Sequence, residues 1–471
     1  MNDPRRFDPA SVGSFRVVDR SFDPGSRTAT LTYALGDAHR FTETVTFETP
    51  PGSSVRPDRA GLDRALLHLH IAAGTSYYKA AAPPVVVVEG PGLTPDEAEF
   101  HRRLYDDGLR EFAVSNGLAV PRPVTVTSAT PGAAAPPGPP RPDRTDRPDR
   151  TDRTDRPGGL VVPIGGGKDS MVLIESVRSL APRLLAVNPH PLVVELAAQA
   201  GLELLVVRRR LDPDLIRLNR SGALNGHVPI TAIVSLIAVV GSYVYGYDSI
   251  AMAIERSASE ETVMVDGVPV NHQFSKSREF EEAARRLLAD SIDPGLTYGS
   301  ALRPYSELAI ARSFARMDRY HATFCSCNTV YRQNAGTRDG WCGHCPKCRF
   351  VGLMLAPFLP PDALTAIIGR DMFDDPEQIP GFAALMSEAD KPFECVGERR
   401  ESAAAVRLLS TRPAWRDTAV VAALAGPARA AVTDSDVAGL LAPAPGLAFP
   451  DPTVAALVAR TLDAAPSRDD R

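Results

Sequence analysis

Three things are scarce in this chain: cysteine, uninterrupted apolar sequence and net positive charge. Six cysteines in 471 residues are too few for a disulfide scaffold. Five of them cluster between 325 and 348, which in a cytoplasmic setting favours a metal. The longest apolar segment, Val228 to Val244, is broken by Pro229, Thr231, Ser235, Gly241 and Ser242. It is too short and too polar to span a bilayer and reads as a buried helix. No apolar core follows Met1-Asn2-Asp3-Pro4-Arg5-Arg6, so no signal peptide is expected and the cytoplasm is the expected location. A formal net charge of −5 gives no general attraction to nucleic acid or to an anionic membrane, and neither is expected as a partner. What remains is an ordinary globular composition, 44% hydrophobic and 23% charged, at a length that suits two or three domains.

The most informative stretch runs from Leu160 to Ser170. An apolar run, Leu160-Val161-Val162-Pro163-Ile164, leads into Gly165, Gly166 and Gly167 and then Lys168-Asp169-Ser170. Met171, Val172, Ile174, Val177 and Leu180 continue at helical spacing. The pattern predicts a buried strand, a tight turn and a helix N-terminus. Such a turn lets the backbone approach an anion, and the N–H groups of the helix start point at it. A cation at a helix N-terminus opposes the macrodipole, so Lys168 is more natural if a phosphate binds both. A Walker loop would need Gly at 162 and Ser or Thr at 169, where the chain has Val162 and Asp169. A dinucleotide fingerprint would need Gly at 170 and meets Ser170.

The stretch instead resembles the SGGxDS signature of the PP-loop ATP pyrophosphatases, which split ATP between the α and β phosphates and adenylate a substrate oxygen. Gly165 stands where that family usually has Ser, which removes a hydroxyl contact but no backbone N–H. The resemblance implies ATP with Mg²⁺ at Gly165, Gly166, Gly167, Lys168, Asp169 and Ser170.

Upstream, residues 14–48 alternate: Leu31, Tyr33 and Leu35 share a face, and Thr42, Thr44 and Thr46 oppose Phe41, Val45 and Phe47. With Asp23-Pro24-Gly25 as a turn, this predicts antiparallel strands. Helices are expected near 58–73 and 95–116, the second opened by a capping box at Thr94-Pro95-Asp96-Glu97. Val85 to Val88 reads as a buried strand, and Gly74 to Lys79 as a plain loop. Residues 1–121 are therefore expected to form an α+β domain. From Pro123 the chain becomes Pro- and Ala-rich, then repeats Arg every third residue from Arg144 to Arg156. Six arginines from Arg141 nearly cancel five aspartates, without apolar residues, so 122–159 is expected to be a disordered linker.

From Leu160 a β-α-β alternation follows, with strands at 184–187, 204–207 and 249–254 and helices at 191–200 and 230–244. It predicts a parallel sheet covered by helices, with ligands at the carboxyl ends of the strands. Glu255 and Arg256 directly follow a strand and fall on that rim. Asn271-His272-Gln273-Phe274-Ser275-Lys276-Ser277 is dense in polar side chains. Residues 160–361 are expected to form the ATP-binding domain, and 362–471 a helical region with helices near 402–410, 416–426, 434–442 and 452–464.

Cys342, Cys345 and Cys348 lie at C-x2-C-x2-C spacing, and a fourth thiolate from Cys325-Ser326-Cys327 completes a tetrahedral site. An iron–sulfur run would need Cys at 352, where the chain has Gly352. Structural Zn²⁺ is expected, on Cys327, Cys342, Cys345 and Cys348. Cys325 is then spare, a candidate acid or base.

A zinc knot closing a PP-loop domain resembles the 7-cyano-7-deazaguanine synthase family, but only over about 160–355. A tRNA-modifying relative would need a basic surface. The whole layout is similar to the MurL family, through the GGGKDS loop, Glu255-Arg256-Ser257, N-H-Q-x-S-K-S from Asn271, Ser326-Cys327-Asn328 and the run from Trp341 to Phe350. That resemblance implies a PP-loop (adenine nucleotide alpha hydrolase-like) α/β fold with a zinc knot, preceded by an α+β domain and followed by a helical subdomain. It also implies an epimerase of UDP-N-acetylmuramoyl-L-alanyl-L-glutamate in peptidoglycan precursor synthesis, working on a small nucleotide-linked muropeptide and releasing AMP and pyrophosphate. In that scheme Lys168 neutralises the departing pyrophosphate, and Asp169 caps the helix or assists a metal. Arg256 clamps a carboxylate or phosphate. The proton-transfer base is drawn from His272, Lys276, Glu255 and Cys325.

Overall fold

The computed structural model describes residues 7–48, 59–130, 159–330, 340–387, 391–392, 394 and 396–463. In chain order its strands are β1 (Ser14–Asp23), β2 (Thr28–Leu35), β3 (His39–Phe47), β4 (Val85–Val88), β5 (Thr125–Ser128), β6 (Leu160–Pro163), β7 (Arg183–Val187), β8 (Leu204–Arg210), β9 (Ser249–Met252), β10 (Val263–Val265), β11 (Val268–Val270) and β12 (Thr297–Ser300). The chain divides into two compact units, one drawn from Met1–Gly159, Leu205–Ile250 and Val265–Thr297, the other from Leu160–Leu204, Ala251–Met264 and Tyr298–Arg471. This division does not follow the expected boundary at 160, because two later stretches return to the first unit.

In the first unit the strands run in the order β8-β3-β2-β1-β4-β5. The alternating segments pair as an antiparallel meander, with Tyr33 opposite Phe41 and Val17 opposite Tyr33. β1, β4 and β5 then pair in parallel. β5 is a correction to the expected linker: residues 125–128 form an edge strand beside β4, because four alternating residues suffice once a paired neighbour offers its backbone. The rest of that expected linker, 131–158, lies outside the described residues. The unit's helices are α1 (Arg59–Ala73), α2 (Thr75–Tyr78), α3 (Pro95–Asp106), α4 (Arg110–Ser115), α7 (Pro213–Arg220), α8 (Ile230–Tyr245) and α9 (Arg278–Leu287). α3 starts at the expected capping box, with Thr94 and Glu97 each accepting from the other's backbone N–H.

α2 replaces the plain loop expected at 74–79. Its Tyr77 ring stacks on Tyr33 at 4.8 Å and on Phe41 at 5.0 Å between centroids. Burial of two tyrosines, a tertiary effect, therefore orders a turn with weak local signal. Beneath it Arg209 of β8 forms a two-pronged ion pair with Glu43 of β3, at 2.6 and 3.2 Å, and donates to Ser76 Oγ at 2.9 Å. Glu43 is fully buried, and burial raises its pKa despite Arg209.

In the second unit the strand order is β12-β9-β6-β7, with β6 and β7 parallel. Its helices are α5 (Lys168–Ser176), α6 (Pro191–Ala200), α10 (Glu307–Phe314), α11 (Pro346–Leu355), α12 (Pro361–Ile368), α13 (Ile379–Ala384), α14 (Arg399–Leu409), α15 (Ala419–Ala431), α16 (Asp434–Leu441) and α17 (Pro452–Leu462). α5 packs on α10, and α14 packs on α11 and α15. The core runs from Met171, Val172, Leu173 and Ile174 through Leu308 and Ile310 to Val406 and Leu409, all fully buried. The helical C-terminal part thus shares one core with the glycine-turn helix. No described helix is long and apolar enough to cross a membrane.

Three buried histidines make the first unit acid-sensitive. Burial pushes His70 down to about 3 and also lowers His68 and His101. In the fold the His70 ring stays neutral down to about pH 3, whereas unfolded it takes up a proton near pH 6.5. The unfolded state therefore binds more protons, and stability falls as pH drops. The expected loss from His70, about 1.4 kcal/mol per pH unit, begins below pH 6.5 and continues to about pH 3. Urea denaturation across that range checks it; stability that stays flat would refute it.

Candidate functional site

β6 ends at Pro163, and Ile164 N–H still donates to Leu185 O at 2.9 Å before the chain turns. Gly166 has φ +85°, a conformation costly for any side chain. A Cβ on Gly167 would lie 2.8 Å from Ser326 Oγ, so a side chain there requires that hydroxyl to turn away. At Gly165, by contrast, a Cβ meets open space, so a serine would fit there sterically. Cys325 N–H donates to Gly166 O at 3.1 Å. The segment carrying the upstream cysteines therefore buttresses the glycine turn.

Gly167 caps α5 without any side-chain hydrogen bond. The Asp169 carboxylate, in the first turn of α5, pairs with Lys168. Lys168 is 2% exposed and its ammonium contacts both Asp169 and Glu307. Burial alone would depress its pKa, but the two carboxylates hold it above its ordinary value. Carboxylate oxygens of Asp169, Glu255 and Glu307 lie within 4.8 Å of one another, a set able to hold a metal ion.

Backbone bonds fix Glu255 at the end of β9. Ile254 N–H donates to Ser300 Oγ at 2.9 Å, Arg303 Nη1 to Glu255 O at 2.8 Å, and Arg256 N–H to Tyr305 O at 2.9 Å. Glu307 follows the N-cap Ser306 of α10, and its N–H donates to Glu401 Oε1 at 2.8 Å. Burial and Asp169 push the Glu307 carboxyl up to about 7, outweighing Lys168. Burial, with Glu398 and Glu307, pushes Glu401 up to about 8. Arg256 is half-buried, and its charge partly offsets the burial-driven rise of Glu398.

The four expected metal ligands converge. Sulfurs of Cys327, Cys342, Cys345 and Cys348 lie within 4.8 Å of one another. Cys348 Sγ is 3.6 Å from Cys342 Sγ and 3.5 Å from Cys345 Sγ. A tetrahedral Zn²⁺ with 2.3 Å bonds spaces its sulfurs about 3.8 Å apart, so the set fits. Backbone N–H groups of Cys345 and Cys348 donate to Cys342 and Cys345 sulfurs at 3.3 and 3.4 Å, bonds that favour thiolates. Cys325 stands outside the set, and burial pushes its thiol up to about 11.

His272 and Lys276 belong to the first unit, whereas Lys168, Asp169, Glu255, Arg256 and Cys325 belong to the second. His272 Nδ1 pairs with Glu111 of α4, and Lys276 Nζ donates to Gln273 Oε1 at 3.1 Å. His227 Nδ1 lies 3.8 Å from the same Glu111 oxygen. Glu111, His227, Glu307 and Glu401 escaped sequence reasoning. Glu307 looks like an ordinary first-turn acid after Ser306, and His227 is an isolated ring in a polar loop.

The model of the MurL N-terminal domain matches residues 6–301, and that of the MurL C-terminal domain matches residues 323–438. The chain belongs to the MurL family. Its relatives include proteins named UDP-N-acetyl-alpha-D-muramoyl-L-alanyl-L-glutamate epimerase. That of Salinispora tropica is 41% identical over 88% of both chains. That of Xanthomonas oryzae pv. oryzae is 39% identical over 88% of this chain and 90% of its own. A third, from a Micromonospora strain, is 39% identical over the same shares. No solved structure matches. The MurL N-terminal match runs far past residue 121 and takes in the glycine turn, Glu255 and His272, while the C-terminal match holds all four clustered thiols.

Substituting Co²⁺ into this MurL chain should give a near-ultraviolet sulfur-to-metal charge-transfer band. Cys325→Ala should keep that band at full intensity, and Cys327→Ala should reduce or shift it. The reverse pattern would make Cys325 the ligand.

Proposed function

We propose that this chain is an ATP-dependent epimerase that inverts the terminal L-glutamate of UDP-MurNAc-L-Ala-L-Glu to D-glutamate, supplying a peptidoglycan precursor in the cytoplasm. The observation that carries the reading is the 41% identity over 88% of both chains to a relative named as that epimerase. The glycine turn and its buried lysine supply a chemical reason for the use of ATP.

The α-proton of a glutamyl residue is weakly acidic while the neighbouring carboxylate keeps its negative charge. In the proposed reaction a carboxylate oxygen attacks the α-phosphorus of ATP, the bond to the β-phosphate oxygen breaks, and pyrophosphate leaves. The resulting acyl-adenylate is no longer anionic at the carbonyl, so loss of the α-proton gives a delocalised enolate. A proton returns on the opposite face. Water then attacks the acyl carbon, releasing AMP and the D-glutamyl product.

The Gly165–Ser170 turn and the first N–H groups of α5 would receive phosphate oxygens. Lys168 would neutralise charge on the departing pyrophosphate. Phosphate must then compete with Glu307 for Lys168. A Glu307 carboxyl already pushed up to about 7 gives up that ion pair at less cost than an ordinary glutamate. The oxygen-only set of Asp169, Glu255 and Glu307 has the hard-donor chemistry of Mg²⁺. When bound there, the ion would supply further charge neutralisation for the triphosphate. Arg256 is proposed as the clamp for a substrate carboxylate or phosphate.

Incubation with ATP, Mg²⁺ and the L-glutamyl nucleotide in D₂O should yield AMP, pyrophosphate and the D-epimer carrying deuterium at the α-carbon. ADP as product, or no α-exchange, would overturn the scheme. Asp169→Ala should slow pyrophosphate release by roughly 10²–10³-fold, the scale of losing one preorganised electrostatic group. Undiminished release would remove the turn from the chemistry.

A further inference from the structure

The first unit contains a second convergence of ligand atoms, remote in composition from the thiol cluster and the acidic trio. Glu111 comes from α4, His227 from the loop before α8, and His272 from the turn after β11. One carboxylate oxygen and one nitrogen from each imidazole lie within 4.8 Å of one another. The two rings stand 4.5 Å apart between centroids, inclined at 44°. All three side chains are largely shielded, at 12% exposure for Glu111 and His272 and 22% for His227.

The three segments are tied together. Lys79 Nζ donates to Gly226 O at 3.0 Å and Asn116 Nδ2 to Asn225 O at 3.0 Å, pinning the loop that carries His227. Arg110 Nη1, beside Glu111 in the chain, donates to Pro269 O at 3.1 Å, at the strand that leads to His272. Gln273 N–H donates to Asn271 Oδ1 at 2.7 Å, closing the turn around His272.

We propose that Glu111, His227 and His272 form a metal-binding site for a borderline divalent transition ion such as Zn²⁺, separate from the four-cysteine site. Two imidazoles and one carboxylate are the donor set that such ions take and that Mg²⁺ and Ca²⁺ do not. Bonds of 2.0–2.1 Å hold donors of a tetrahedral Zn²⁺ roughly 3.3 Å apart. The 3.8 Å between His227 Nδ1 and Glu111 Oε2 therefore needs a side-chain adjustment of about half an ångström. Lys79 and Lys276 lie within electrostatic reach of His227 and oppose a bound cation. An ion that bonds strongly to imidazole tolerates that repulsion, whereas one held mainly by charge does not. Three protein donors leave one tetrahedral position open, unlike the closed thiolate site.

The test is metal binding by the full chain, without ATP or muropeptide, so its outcome is independent of the epimerase reading. Protein stripped with a chelator should take up two equivalents of Zn²⁺. On Co²⁺ titration the sulfur charge-transfer band should saturate at one equivalent, and a second should add visible bands without further charge transfer. His227→Ala and the isosteric Glu111→Gln should each lose that second equivalent or weaken it at least about tenfold, a loss on the scale of disrupting a ligand shell, with the charge-transfer band unchanged. Excess Mg²⁺ should not displace it. A single equivalent in the unaltered protein, accounted for by the sulfur band, would overturn the proposal even if neither variant folds. A second equivalent kept at full affinity in both variants, or displaced by Mg²⁺, would overturn it as well.

Discussion

The second unit is arranged around a buried cation at the start of a helix. Lys168 opens α5, where the macrodipole already carries positive charge, and it is 2% exposed. An unpaired ammonium there would be prohibitively costly, so Asp169 and Glu307 must be present together. That requirement draws α10 against α5, and the backbone of Glu307 in turn occupies the carboxylate of Glu401 on α14. One local electrostatic demand thus organises residues from four separate parts of the unit, counting Glu255 at the end of β9. The same cluster has more carboxylates than cations close to it, which is why burial leaves Glu307 and Glu401 with raised pKa values. Such an imbalance favours an additional positive charge.

The thiol cluster is mechanically continuous with that centre. The Cys325–Cys327 segment donates to the glycine turn through Cys325 N–H and sets Ser326 Oγ against Gly167. A metal that holds Cys327 against Cys342, Cys345 and Cys348 would therefore also hold the turn's floor. In the proposed reaction such a thiolate site would shape the phosphate-binding turn without taking part in the chemistry. The helical C-terminal part contributes in a similar way, because α14 brings Glu401 and shares the core of α5 and α10.

The first unit solves a different problem. Its meander, α2 and β8 enclose the Glu43–Arg209 pair and a stack of aromatic rings, so charge and aromatic packing meet in one core. At another place in the same unit, Glu111 from the first turn of α4 gathers with His227 and His272 from two connections. Loops can hold such a group only when cross-linked, and the bonds from Lys79, Asn116 and Arg110 provide that bracing.

What the sequence determined by itself was local. Alternation in 28–47 specified the meander, the spacing after Gly167 specified α5, and Thr94 with Glu97 specified the start of α3, because period and capping depend on neighbours a few residues away. The short cysteine spacings were legible for the same reason. The tertiary structure decided what depends on distant chain: the helical form of 75–78, the edge strand at 125–128 and the interleaving of two units. It also decided which acids join Lys168 and His272. Glu307 reaches Lys168 across 139 residues and Glu111 reaches His272 across 161. No periodicity or motif encodes a partner at such separation; only burial, by making an unpaired charge too costly, selects it.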